Sequence, residues 1–133
     1  MSKCLMIVDD SPVMRSFVKR TLLAAGLPVD TCLEASNGRE ALEKLRAFTS
    51  SRRIDLILTD VNMPVLDGEG LLVELKRDAA LASIPVVVVS TDSTEQRVGA
   101  LLKLGARDYV RKPFPPERLS EVLNGIFPDW ANQ

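Results

Sequence analysis

Short runs of β-branched and aliphatic residues alternate along this chain with longer stretches whose apolar residues recur every three or four positions. Lys3 to Val8 reads as a buried strand, and Ser11 followed by Pro12 supplies a helix N-cap with proline at the first helical position. The spacing predicts a helix to about Ala25, with Val13, Phe17, Thr21 and Ala24 as its apolar stripe and Gly26 as its stop. A second strand, about Asp30 to Ala35, leads through Asn37 and Gly38 into a helix that carries Ala41, Leu42, Leu45 and Phe48 on one face. Thr49 to Arg53 is a polar connector, read as a solvated loop rather than a basic binding patch. Ile54 to Thr59 is the third strand, and Glu69 to Arg77 the third helix through Leu71, Leu72 and Leu75.

Pro85 to Ser90 is the clearest strand, because consecutive valines from Val86 to Val89 suit a sheet covered on both faces. The fourth helix runs from about Thr94 to Leu104, with Val98, Leu101 and Leu102 expected inward. Gly99 lowers its propensity by about 1 kcal/mol relative to alanine, which predicts the least rigid helix of the set. Tyr109 to Arg111 is a short last strand, and Pro116 to Ile126 a last helix carrying Leu119, Val122, Leu123 and Ile126. Strict alternation of five strands and five helices calls for a parallel sheet with right-handed crossovers and helices on both faces. The expectation is therefore an α/β, flavodoxin-like, doubly wound (βα)5 sandwich of three layers with strand order 2-1-3-4-5. It forms one domain over residues 1–133, with a core at about 3–127 and a short tail at 128–133 that contains Trp130.

Composition narrows the function classes. Hydrophobic residues make up 46%, charged residues 26% and the net charge is −1, which argues against disorder and against a polyelectrolyte partner such as DNA. No apolar stretch approaches the about 18 to 20 residues that span a bilayer, so membrane insertion is not expected and the cytoplasm is the expected compartment. Cys4 and Cys32 lack metal-site spacing and are read as free, buried thiols in a reducing environment. The chain has no histidine, which excludes Ser-His and Cys-His nucleophile pairs, His-ligated zinc and an imidazole base. Catalysis of any kind must run on carboxylates, lysine and hydroxyls.

In an open α/β sheet, ligands bind beyond the carboxyl ends of the strands where strand order reverses. Strands one, three, four and five end in Asp9 and Asp10, in Asp60, in Ser90 and Thr91, and in Lys112. Carboxylates gathered there repel one another by about 4 kcal/mol per pair at 4 Å and an effective dielectric of 20. A hard divalent cation offsets that repulsion. Magnesium, or manganese in its place, suits one or two carboxylates, waters and a phosphate oxygen, whereas the spacing of a calcium-binding EF-hand is missing. A carboxylate can also attack phosphorus to give an acyl phosphate. Asp60, alone at its strand end, is the expected nucleophile, with Asp9 and Asp10 free to hold metal, Lys112 to neutralise phosphoryl oxygens and Ser90 to donate a hydrogen bond.

These residues also match a family. Asp9 and Asp10, Asp60-Val61-Asn62-Met63-Pro64, Asp67-Gly68, Ser90, Gly105-Ala106, Tyr109 and Lys112-Pro113-Phe114 together resemble the receiver domain of two-component response regulators, in particular the single-domain chemotaxis regulators of the CheY type. The likeness covers essentially the whole chain. It implies that Asp60 accepts phosphate from a sensor histidine kinase or a histidine phosphotransfer protein. It also implies that Asp9, Asp10, Asp60 and the backbone carbonyl of Asn62 surround magnesium, and that Lys112-Pro113 is a cis peptide aiming the lysine. Ser90 is implied to move toward the phosphoryl group while Tyr109 turns inward, with the face of helix four, strand five and helix five read by a downstream protein. Asn62 and Asp92 are implied to tune how fast water removes the phosphate. The chain would then be a signalling switch, not an enzyme that turns over a separate substrate.

One position departs from the pattern. Receivers carry a very small residue after the switch hydroxyl, whereas Thr91 is β-branched and is expected to crowd the approach to Asp60. Three rival readings stay open. A haloacid-dehalogenase-type phosphatase shares the aspartyl phosphate and magnesium but needs a carboxylic acid where Asn62 stands. A flavin or nucleotide binder needs a phosphate loop after strand one, where Asp9 and Asp10 repel phosphate. An inactive receiver could act as a scaffold, against which the full acidic set argues.

Overall fold

The computed structural model describes residues 3–91 and 94–128. Its elements alternate as β1 (Lys3–Val8), α1 (Pro12–Ala24), β2 (Val29–Ala35), α2 (Gly38–Thr49), β3 (Leu56–Thr59), α3 (Gly68–Arg77), β4 (Val86–Ser90), α4 (Glu95–Lys103), β5 (Asp108–Arg111) and α5 (Pro116–Ile126). The five strands form one sheet of order β2-β1-β3-β4-β5, with every neighbouring pair parallel. This is the expected flavodoxin-like arrangement. β1 and β3 are neighbours at the reversal, with Val8 beside Thr59, so the residues that follow each strand emerge together.

The period-2 alternation of the strands builds two cores. Leu5 and Ile7 of β1, Leu56 and Leu58 of β3 and Val87 and Val89 of β4 face α1 and α5, where Val18, Leu22, Leu119 and Leu123 close the layer. Met6, Val8, Ile57, Val86 and Val88 point to the other face, against Leu45 of α2, Leu72 of α3 and Leu101 of α4. Helix starts follow local chemistry: Ser11 Oγ accepts the Met14 N–H, Asn37 Oδ1 the Glu40 N–H, Asp67 Oδ1 the Gly70 N–H and Thr94 Oγ1 the Arg97 N–H.

Several expectations need correction. In α1 the buried residues are Val18, Thr21 and Leu22, while Val13 is 73% exposed and Ala24 is also exposed. Phe17 and Thr21 of the expected stripe do face inward, where Val18 and Leu22, one residue further along, join them, so the inward face is wider and rotated away from Val13 and Ala24. In α4 Leu101 is buried and Leu102 is exposed, a single inward leucine where two were expected. β3 begins at Leu56 rather than Ile54, because Asp55 turns its carboxylate back to the Cys4 N–H at 2.9 Å. Pro85 lies outside β4, having no N–H for the ladder, although its carbonyl accepts from Ile57 at 3.0 Å.

The connector after α2 is not simply solvated. Arg52 lies over the Phe48 ring, pairs with Asp30 and reaches Thr31 Oγ1 at 3.2 Å and Cys4 Sγ at 3.1 Å. The Arg52 guanidinium holds the Asp30 carboxyl below the usual carboxylate range. Cys4 is a buried free thiol as expected, whereas Cys32 is only half-buried, and burial pushes both thiols up. Of the predicted tail, residues 129–133, including Trp130, lie outside the described residues, as does Asp92. Phe127, just before it, is half-buried with Lys3 Nζ 4.6 Å from its ring centre.

Candidate phosphoryl and metal site

Two neighbouring strand ends, those of β1 and β3, deliver the acidic residues to one spot. Asp60 leaves β3 with its N–H bonded to the Val8 carbonyl of β1 at 2.9 Å, and Asp9 leaves β1 with its N–H on Ala35 of β2 at 3.0 Å. Side-chain oxygens of Asp9, Asp10 and Asp60 lie within 4.8 Å of one another. Asp9 is 4% exposed, Asp60 is half-buried and Asp10 is exposed, so the cluster faces solvent at Asp10.

Each buried carboxylate is fixed by donors. The Ser11 N–H donates to Asp9 Oδ1 at 2.9 Å, and the Arg15 guanidinium donates to the Asp9 carbonyl at 2.6 Å while pairing with Glu34 at 2.9 Å. The Val61 N–H donates to Asp60 Oδ1 at 2.7 Å. Lys112, at the end of β5 and 7% exposed, joins the two: its Nζ lies 3.0 Å from Asp9 Oδ2 and 3.4 Å from Asp60 Oδ2. A lysine so buried is tolerated because carboxylates surround it. Its peptide bond to Pro113 is cis, and its N–H is bonded to the Ser90 carbonyl at 2.9 Å, which ties β5 to the end of β4.

Three carboxylates against one ammonium leave two formal negative charges, and the exposed side of the cluster is where another positive charge can approach. Among the described residues the clustered ligand groups are hard carboxylate oxygens from two strand ends, and the chain has no imidazole to offer. That set fits magnesium or manganese, which keep several waters, better than zinc. Asn62 is exposed two residues beyond Asp60.

Ser90 is buried at the end of β4, and Thr91 after it is exposed. Tyr109, paired in register with Val88, is buried in the core shared with Leu101 and Ala106. The aromatic ring therefore already lies inward. Phe114 is buried beyond the cis peptide, edge-on to Phe17 of α1 at 5.6 Å between ring centres.

Three residues contribute in ways that the sequence reading did not assign, although Gly68 stands in the motif quoted for the family resemblance. The first is Gly68: a Cβ placed there would lie 2.2 Å from the Asp60 carbonyl oxygen, and its N–H bonds the Val61 carbonyl at 2.8 Å, so α3 starts hard against the backbone of Asp60. The second is Arg15, whose place one helical turn beyond the Ser11 cap was the only available signal. The third is Arg97 of α4, which reaches Glu69 of α3 at 3.6 Å and has no signature in local spacing. A cavity of about 570 Å3 lined by Thr49, Arg52, Arg53, Ile54 and Ser83 lies at the amino ends of the strands and shares no residue with the acidic site.

The family model described as "Response regulator receiver domain" matches residues 5–124. The chain is similar to the chemotaxis protein CheY1 of Helicobacter pylori, with 37% identity over 122 residues, covering 92% of this chain and 94% of that protein. Among solved structures, it is similar to the phosphorylated cyanobacterial phytochrome response regulator RcpA, with TM-score 0.78, 30% identity and coverage of 98% and 95% of the two chains. It is also similar to the Mn(2+)-bound form of the response regulator Rcp1, with TM-score 0.75, 30% identity and coverage of 96% and 94%.

Proposed function

The chain belongs to the response regulator receiver family, and from that premise we propose that it is a two-component signalling switch phosphorylated on Asp60 by a histidine kinase or a histidine phosphotransfer protein, in a chemotaxis pathway. The observation that carries this reading is the convergence of Asp9, Asp10 and Asp60 with Lys112 Nζ between two of them. Homology to the chemotaxis protein CheY1 supports the pathway.

A carboxylate oxygen of Asp60 attacks the phosphorus of a phosphohistidine. The new O–P bond gives an acyl phosphate, the P–N bond breaks, and the imidazole leaves with its electron pair to take a proton from solvent. Absence of histidine from this chain is consistent with a donor on another protein. Lys112 meets the phosphoryl oxygens with a charge-assisted hydrogen bond, and the Ser90 hydroxyl donates a second from the end of β4. Asp9, Asp10, Asp60 and the Asn62 backbone carbonyl are the groups that would hold magnesium, which supplies charge neutralisation at the phosphoryl oxygens. Thr91, exposed at the rim, narrows the approach, and Asn62 with Asp92 sets the access of hydrolytic water.

The response is read on the face of α4, β5 and α5, where Tyr109 is buried beneath α4. The chain is then a switch that accepts the phosphoryl group from its donor and catalyses only its own phosphorylation and dephosphorylation, not a turnover enzyme. A phosphatase needs an acid at position 62, where this chain has an amide.

Metal dependence tests the reading of the acidic set. Labelling by a small phosphodonor should fall more than about tenfold when EDTA replaces magnesium, and Asp10→Asn should require more magnesium for the same rate. Undiminished labelling in EDTA contradicts the metal role, and hydrolysis of many donor molecules per chain favours the phosphatase.

A further inference from the structure

The ion pair between α3 and α4 has no part in the chemistry above, yet both of its ends are anchored beside that chemistry. Glu69 sits in the first turn of α3, one residue after Gly68, whose backbone is pressed against the Asp60 carbonyl. The Glu69 carboxylate is therefore referenced to the phosphoacceptor strand. Arg97 sits in the first turn of α4, its N–H capped by Thr94, and Thr94 is four residues from Ser90. Arg97 Nη1 reaches Glu69 Oε2 at 3.6 Å.

At this end α4 has, beside the ion pair, Val98, a partly buried residue packed on the core. Leu101 is its one buried residue, on the same helical face as Arg97 one turn away, in the core shared with Tyr109. Arg97 Nε is buried with no acceptor among the described residues, a loss that favours lifting the side chain out. The pair with Glu69 opposes that loss. The pair therefore adds a polar tether to the apolar contacts of Val98 and Leu101.

We infer that Glu69 and Arg97 are positioning residues for the phosphoryl site: their ion pair clamps α4 onto α3 and thereby keeps Ser90, Thr91 and the inward Tyr109 in place around Asp60. The inference rests on Asp60 being the phosphoryl site. Losing the clamp makes the site less preorganised, so an anion that binds there binds more weakly. The expected size is about two- to fivefold, the range of an exposed pair.

Simple electrostatics predicts something different. Removing the Glu69 carboxylate should tighten the binding of an anion nearby, and removing the Arg97 charge should weaken it. The clamp predicts that both removals weaken it. The test is calorimetric titration of the full chain with beryllofluoride in magnesium, for wild type, Glu69→Gln, Arg97→Gln and the reversed double variant Glu69→Arg with Arg97→Glu. Both single variants should bind about two- to fivefold more weakly, the reversal should return affinity to the wild-type value, and high salt should bring wild type down to the single variants. Unchanged or tighter binding by Glu69→Gln, or a reversal no better than the single variants, overturns the clamp. No binding by wild type, or equal binding by Asp60→Asn, overturns the assignment of Asp60 and the clamp with it, and is recognisable because it appears before any α3 or α4 variant is compared.

Discussion

Gly68 sets the position of Asp60 by what it lacks. The nearest atoms to a Cβ at this position are backbone, the Asp60 carbonyl oxygen at 2.2 Å and the Val61 Cα at 2.9 Å, so no side chain can move aside to admit it. Gly68→Ala is expected to lower stability by about 3 kcal/mol, the upper end of overpacking costs, in urea unfolding. A loss below about 1 kcal/mol would mean that α3 and the Asp60 backbone separate readily. Three residues earlier, Val65 has φ of 68° and is 74% exposed. A β-branched residue in the left-handed region is strained and receives little packing in return. Val65→Asn should raise the unfolding free energy by about 1 kcal/mol, because asparagine accepts this conformation far better, and unchanged or lower stability contradicts the strain. At this scale the sequence showed which residues carry charge but not what holds them. Lys112 beside Asp9 and Asp60 is a contact across three strands, and Val65 has no pattern that announces a positive φ.

At the scale of elements, helices and strands were legible where local chemistry determines them. Ser11-Pro12 and Asn37-Gly38 start helices where the caps predicted, and the valines of β4 form the strand that their β-branching suggests. The inward faces were less legible. In α1 both Val13-Phe17-Thr21-Ala24 and Val18-Leu22 satisfy helical spacing, and only the position of the sheet decides that Phe17, Val18, Thr21 and Leu22 form the inward face. α4 illustrates the same limit and carries a prediction. A Cβ on Gly99 meets nothing within 4 Å, and its φ lies outside the left-handed region, so the glycine serves neither packing nor backbone geometry. Gly99→Ala should stabilise the chain by about 0.5 to 1 kcal/mol in thermal or urea unfolding. Destabilisation would show that α4 needs its glycine for a conformation other than the one described.

For the whole molecule, the parallel order β2-β1-β3-β4-β5 turns five local units into one site. Alternating elements made the fold class legible, and the reversal between β1 and β3 made the meeting of Asp9, Asp10 and Asp60 legible before any distance was known. What alternation could not supply was the opposite end of the sheet. Arg52 crosses from the α2–β3 connector to Asp30 and Thr31 of β2 and to Cys4 of β1, joining residues up to 48 positions apart that share no motif. Nor could it supply the bridge between α3 and α4. The acidic end converges more clearly, because each of its residues follows a strand and the order of strands determines its neighbours.

The central claim is that Asp60 is the nucleophile of this site. Intact-mass spectrometry after incubation with a small phosphodonor and magnesium, on wild type and on Asp60→Asn, tests it most directly. The account predicts one added phosphoryl group on wild type and none on Asp60→Asn; no addition to wild type, or equal addition to both, would contradict it.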